Sequence, residues 1–189
     1  MDMDLEKRVV LITGGSMGIG RATAIAYSSE GAKVALTYHT NREWADETAQ
    51  SVRNNGGNPL VIRYDLSDES SMEETVKTVV DQWGTIDILV NNAVNWAPRH
   101  GGGPVKFEEV PYNEWRTMFR SSLEGVFLTT QLVAPIMRAN NWGRIINVSS
   151  NLAQDARGGQ ASYAAAKAGL HGLTRNLARE LGPYGILTN

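Results

Sequence analysis

A 189-residue chain with 42% hydrophobic and 20% charged residues has the make-up of a soluble globular protein, and its length suits a single domain over residues 1–189. Its formal net charge of −2 shows no bias toward nucleic acid or an anionic membrane, and the lack of cysteine excludes disulfides and thiolate chemistry. Residues 1–8 are acidic and polar, unlike a secretory signal, and no apolar run approaches the ~20 residues that span a bilayer, so a cytoplasmic protein is expected.

Apolar runs of strand length alternate with longer helix-like segments, the pattern of βαβ units around a parallel sheet. Strand 9–13 leads through a glycine-rich turn into helix 19–30, strand 34–38 into helix 43–55, and strand 60–64 into helix 72–83. Strand 86–91 is followed by a long loop, 95–111, with Gly101-Gly102-Gly103-Pro104 at its centre, and then by one long helix, 114–139. Strand 145–149 precedes helix 163–181, and residues 185–189 begin a sixth strand. The strands are continuously apolar, which suits a sheet covered on both faces, so the expected class is α/β, a doubly wound parallel sheet in a three-layer sandwich. Ending at that point leaves a raw sheet edge, which reads as truncation after the start of the sixth strand. Gly31, Gly56-Gly57, Gly84 and Gly143 each follow a helical segment and are expected to close it.

The first strand runs directly into Thr13-Gly14-Gly15-Ser16-Met17-Gly18-Ile19-Gly20. Glycines here let the backbone turn tightly and approach a pyrophosphate, while the following helix offers free N–H donors at its positive end. Cofactor preference is read at the end of the second strand, where an acid would bind ribose hydroxyls and repel a phosphate. The segment is Tyr38-His39-Thr40-Asn41-Arg42, with no acid, which favours NADP(H) over NAD(H); Arg42 is either a phosphate partner or a solvated helix-start residue.

Tyr163 and Lys167 stand four residues apart, so both lie on one helix face, and a cation beside a phenol favours the phenolate needed for proton transfer near neutrality. Thirteen residues before the tyrosine, Ser150 sits at the end of the fifth strand, at the ligand-binding edge of such a sheet. Its neighbour Ser149 reads as a strand-end residue whose hydroxyl satisfies local backbone. His39, His100 and His171 are scattered without partners at metal spacing, so no metal site is expected. Trp44, Trp83, Trp115 and Trp142 read as packing residues, and Trp96 in the long loop is the strongest substrate-contact candidate among the tryptophans.

The turn Thr-Gly-x-x-x-Gly-x-Gly, the stretch Gly159-Gln160-Ala161-Ser162-Tyr163-Ala164-Ala165-Ala166-Lys167 and the placement of Ser150 resemble the short-chain dehydrogenase/reductase family, closest in flavour to its 3-oxoacyl-acyl-carrier-protein reductases. The resemblance covers essentially the entire chain and implies a Rossmann-like fold and a carbonyl/alcohol substrate. It implies that Ser150 binds the substrate carbonyl, Tyr163 protonates its oxygen, and Lys167 holds the nicotinamide ribose. The implied cofactor-binding set is Gly14, Ser16, Met17, Gly18, Ile19 and Gly20 at the turn, Tyr38 to Arg42 at the second strand, Asn92, Ala93 and Val94 after the fourth, and the two helix residues Tyr163 and Lys167. Asp65, with Leu66 beside it, matches the position that contacts the adenine in the family; its other reading is a cap for the following helix.

Three departures accompany the likeness. Met17 stands where many NADPH-using relatives carry a basic residue. Val94 replaces a glycine and restricts a backbone that normally has more freedom. Ser122 occupies the place of a fourth catalytic residue, an asparagine that anchors a water in the proton relay to the lysine. Two readings follow: an NADPH-dependent carbonyl reductase, or a dinucleotide-binding module with little turnover. The family's habit of pairing its long helices implies a homodimer or homotetramer through 114–139 and 163–181, with Phe127, Leu128, Leu132 and Leu173 as the apolar surface.

Overall fold

The computed structural model describes residues 3–94, 106–155 and 157–189. Six strands, β1 (Val9–Ile12), β2 (Lys33–Tyr38), β3 (Leu60–Arg63), β4 (Ile88–Asn91), β5 (Gly143–Asn147) and β6 (Ile186–Thr188), form one parallel sheet in the order β3-β2-β1-β4-β5-β6. The helices are α1 (Gly18–Ser29), α2 (Arg42–Asn54), α3 (Glu69–Trp83), α4 (Tyr112–Phe119), α5 (Gly125–Ala139) and α6 (Ala161–Leu181). Each strand turns alternate residues to opposite faces, so β1 must be apolar throughout to be covered on both. Val9 and Leu11 join a core with Val76 and Val79 of α3, Val133 and Met137 of α5, and Leu181 of α6. Val10 and Ile12 join the other core with Ala24 of α1 and Ala45, Ala49 and Val52 of α2. The sixth strand is present as three residues paired to β5, from Gly143↔Ile186 to Ile145↔Thr188.

Three local expectations change. The long helix is not continuous: α4 and α5 are joined by a π-helical turn over Arg120–Glu124, which carries the buried Ser121 and Ser122. Arg120 braces that turn, donating to Glu69 at 3.0 Å and to Glu124 at 3.1 Å. The fifth strand is displaced two residues toward its start: Val148 N–H still bonds Asn91 O of β4, but its carbonyl accepts from Lys167 Nζ and the Ser149 hydroxyl turns to Lys167 O, both on α6. Gly143 does not close α5. It opens β5 with a Cβ position only 2.5 Å from Met137 Sδ, while Asn141 takes the left-handed conformation (φ 49°) after the helix. Gly31, Gly56 and Gly84 do take positive φ.

A polar chain ties β4, β5, α5 and α6 together. Asn91 of β4 donates to Asn147 of β5 at 2.9 Å and to Thr130 of α5 at 3.1 Å, and Asn147 donates to Thr174 of α6 at 2.9 Å. With its donors satisfied, this chain fixes α6 against β5 and sets the depth of everything α6 carries. Of the apolar residues considered for an oligomer contact, Leu128 and Leu132 pack inward, whereas Phe127 is 47% exposed.

Candidate active site

The strand order reverses beside β1, and open sheets of this kind bind ligands at that point, outside the carboxyl ends of the strands. Thr13 organises the turn there: its hydroxyl donates to Val90 O and accepts from the N–H groups of Asn92 (3.0 Å) and Ala93 (3.1 Å). The Asn92 side-chain amide donates to Thr13 O at 3.0 Å and Gly14 O at 2.9 Å, and Thr37 of β2 accepts from Gly14 N at 3.0 Å. The turn is so tight that a Cβ on Gly14 would lie 2.9 Å from Ala93 Cα, and one on Gly20 would lie 2.2 Å from Gly14 O. Gly14 also needs φ +66°, which glycine takes without strain. Among the described residues, no side chain caps α1 at Met17 and no acid stands in its first turn, so the positive helix end faces the space before it.

That space is a cavity of about 450 Å³, within the range of small-molecule clefts. Gly14, Ser16, Met17, Gly18 and Ile19 line it from the turn, Tyr38 to Asn41 from β2, Asp65 and Leu66 from β3, and Asn92 to Val94 from β4. Gly20 and Arg42 do not line it. Gly20 is packed beneath the turn, and Arg42 turns to Asp46, with Nε 3.0 Å from Oδ1. Thr37, Trp44 and Tyr64 line the cavity although sequence reasoning did not single them out as site residues. Trp44, read as a packing residue, is 45% exposed. Its signal in the sequence was its place just after the cofactor-reading segment. Burial pushes the Tyr64 phenol up to about 12, and its hydroxyl is engaged with Thr129, so it serves as a neutral wall.

Asp65 does not cap α3; Asp68 does, accepting from Ser70 N at 3.0 Å. Asp65 instead accepts from the Ser67 hydroxyl (2.6 Å) and N–H (2.9 Å) and meets His39 Nε2 at 3.2 Å. Partial burial raises its carboxyl, but the Ser67 hydrogen bonds and the His39 imidazole together outweigh this and hold it below the usual carboxylate range. Asn41 spends its side-chain oxygen as the cap of α2, accepting from Trp44 N at 3.0 Å.

Ser150, Tyr163 and Lys167 do not line the cavity; Tyr163 and Lys167 of α6, only 8% and 3% exposed, lie next to it, with Val94 both lining the cavity and packing on the tyrosine cluster, and Lys167 Nζ is 5.8 Å from the tyrosine ring centre. Nζ donates to Val148 O at 2.7 Å, and burial pulls the ammonium down to about 8. Ser149 Oγ donates to Lys167 O at 3.3 Å and shares a hydrogen bond with His171 Nε2 at 2.8 Å, so the strand end beside Ser150 is stapled to α6. Ser150 caps a short 3-10 turn, Asn151–Ala153, accepting from Leu152 N at 3.2 Å. Leu152 then packs with Val94, Met118 and Tyr163, joining the ends of β4 and β5, α4 and α6 in one cluster.

Ser122 is fully buried and donates to Met118 Sδ at 3.3 Å, so its hydroxyl is spent inside the helix. Val94 is not strained: its φ is not in the left-handed region, and its side chain packs on the Tyr163 cluster. Trp96 and His100 lie outside the described residues. Among those that are described, no group of three metal-ligating side chains comes together, and no helix is long and apolar enough to cross a membrane.

The family described as short chain dehydrogenase matches residues 8–189. A 3-oxoacyl-[acyl-carrier-protein] reductase of Synechocystis sp. is 34% identical over 188 residues, covering 98% of this chain and 72% of that protein. Among solved structures, a short-chain dehydrogenase/reductase of Serratia marcescens superposes with TM-score 0.88 at 36% identity, covering 96% of this chain and 71% of that one. An NAD+-bound xylitol dehydrogenase gives TM-score 0.89 at 30% identity, covering 98% and 69%. With the family pattern matched over residues 8–189 and relatives at 34% and 36% identity covered to more than two thirds, the chain belongs to the short-chain dehydrogenase family of oxidoreductases.

Proposed function

We propose that this chain is a single dinucleotide-binding and catalytic domain that reduces a carbonyl to an alcohol with NADPH, acting on a 3-oxoacyl thioester or a related ketone. The observation that carries the reading is the buried Tyr163–Lys167 pair on α6, joined through Tyr163 to Val94, which lines a cavity whose other wall is a glycine turn with no room for a Cβ at Gly14 or Gly20. A pyrophosphate fits that turn, because the α1 N-terminus offers donors and the Gly14 and Gly20 contacts leave no room for a Cβ. Asn92, Ala93, Val94 and Lys167 would hold the nicotinamide half. The bound cofactor supplies the hydride. Ser150 Oγ orients the substrate carbonyl, Tyr163 gives its phenolic proton to the oxygen, and Lys167 stabilises the phenolate left behind.

NADPH is preferred because residues 38–42 carry no carboxylate to repel a 2′-phosphate, and Arg42 can exchange its exposed partner Asp46 for that phosphate. The Synechocystis relative's name supports the substrate class. The exposed Phe127 on α5 supports a homodimer or homotetramer joined through α5 and α6. A second reading, a dinucleotide-binding module with little turnover, is favoured by Ser122, whose hydroxyl is turned to Met118 rather than toward a relay water. NADPH consumption across a panel of ketones and acetoacetyl thioesters separates the two: turnover that Tyr163→Phe abolishes supports the reductase, and tight NADPH binding with no turnover on any substrate supports the module.

A further inference from the structure

Around the cavity mouth stand three large exposed apolar side chains: Met17 (56%), Ile19 (63%) and Trp44 (45%). Trp44 sits on a capped helix turn. Its N–H is held by Asn41 Oδ1 at 3.0 Å, which fixes the first turn of α2. One turn further along the same helix face, Thr48 Oγ1 donates to Ser16 O at 3.1 Å, so this face of α2 is tied to the glycine turn. The indole is therefore carried on a helix turn anchored to the glycine turn, and it lines the cavity with nearly half its surface in water. A flat apolar ligand that covered it would remove that surface from water and gain ring stacking.

The cavity has a direction. Its Val94 end packs on the Tyr163 cluster and is the reacting end, while the α1 N-terminus lies between and suits the pyrophosphate. Trp44 stands with Tyr38 to Asn41 at the far end, where the second heterocycle of a dinucleotide must lie. Resting on the dinucleotide reading above, we propose that Trp44 is a cofactor-binding residue whose indole forms the wall on which the adenine ring stacks. Stacking reads the π-face of the base and not its 2′ substituent, so Trp44 contributes to NADPH and NADH alike and is separate from the choice between them.

The test is calorimetric titration of the wild type, Trp44→Ala and Trp44→Phe with three probes: NADPH, ADP-ribose and reduced nicotinamide mononucleotide. Trp44→Ala should weaken NADPH and ADP-ribose by about tenfold, Trp44→Phe should recover all but about threefold, and the mononucleotide, which has no adenine, should bind all three proteins equally. NADPH affinity within twofold of wild type in Trp44→Ala would overturn the inference while leaving the dinucleotide reading intact. Equal weakening of all three probes would also overturn it, by showing a general disturbance of the cavity. If the wild type binds none of the probes, the dinucleotide reading falls and the inference falls with it.

Discussion

At the glycine turn the fixed contacts run through backbone and short polar groups: Thr13, Thr37 and Asn92 hold peptide N–H and C=O groups, and Gly14 and Gly20 leave no room for a Cβ. Around Tyr163 the fixed contacts are side chains, an apolar cluster of Val94, Met118, Leu152 and Ala166 beside a desolvated lysine. The two regions meet at Val94, which lines the cavity and packs on the tyrosine cluster, yet they should fail differently. The turn should tolerate changes of chemistry but not the addition of a Cβ, whereas the α6 end should tolerate small changes of shape but not the loss of a proton or a charge.

The largest effect on cofactor binding and stability is expected from Gly20→Ala, whose Cβ would stand 2.2 Å from Gly14 O. The turn must open to admit it, so NADPH affinity should fall more than ~100-fold and stability by on the order of 3 kcal/mol, read by calorimetry and thermal unfolding. Wild-type affinity in this variant would break the claim that the turn is set by steric closure. Tyr163→Phe, at the other end, should lower kcat by ~1,000-fold or more while leaving NADPH affinity within threefold, which a single-turnover assay beside a binding titration would show.

Lys167→Met sharpens the contrast through pH. Burial lowers the folded ammonium from its ordinary 10.5 to about 8, so between these values the unfolded chain binds the extra proton and the folded state gains as pH rises. Wild type should therefore gain about 3 kcal/mol of unfolding free energy relative to Lys167→Met between pH 7 and 11, checked by paired urea titrations. The rate of reduction should fall as pH rises through about 8, as the cation is lost. The smallest effect is expected from Arg42→Ala, which removes an exposed group already paired with Asp46: NADPH should weaken by about fivefold with NADH unchanged, and equal loss for both would remove Arg42 from the choice of cofactor.

Much of the frame could be read from residue order. The apolar strands, the glycine spacing and the Tyr163–Lys167 pair are local patterns, and local patterns survive translation into structure. What could not be read depends on partners distant in sequence. The π-turn at Arg120–Glu124 lies in a stretch with ordinary helical composition, and the braces that accompany it, Glu69 on α3 and Leu66 against Gly125, come from more than 50 residues away. The sequence leaves Asp65 open between a cap for α3 and a cavity residue, and it is the Ser67 turn and His39 that assign it to the cavity while Asp68 takes the cap. Trp44 resembled any aromatic residue near a helix start until Thr48 tied its face to Ser16. Gly143 resembled a helix stop because the left-handed role could fall two residues earlier, on Asn141.

Asn92 and Val94, two residues apart on the exit from β4, serve different neighbours: the first clamps the glycine turn, and the second packs on the tyrosine cluster. Their histories within a lineage should therefore diverge. Position 92 is bound to a peptide geometry that offers almost no substitutes, while position 94 can exchange volume with Met118 and Leu152 as the ligand changes. Descendants that acquire new substrates should show drift at 94 accompanied by compensation at 118 and 152, beside an unaltered 92.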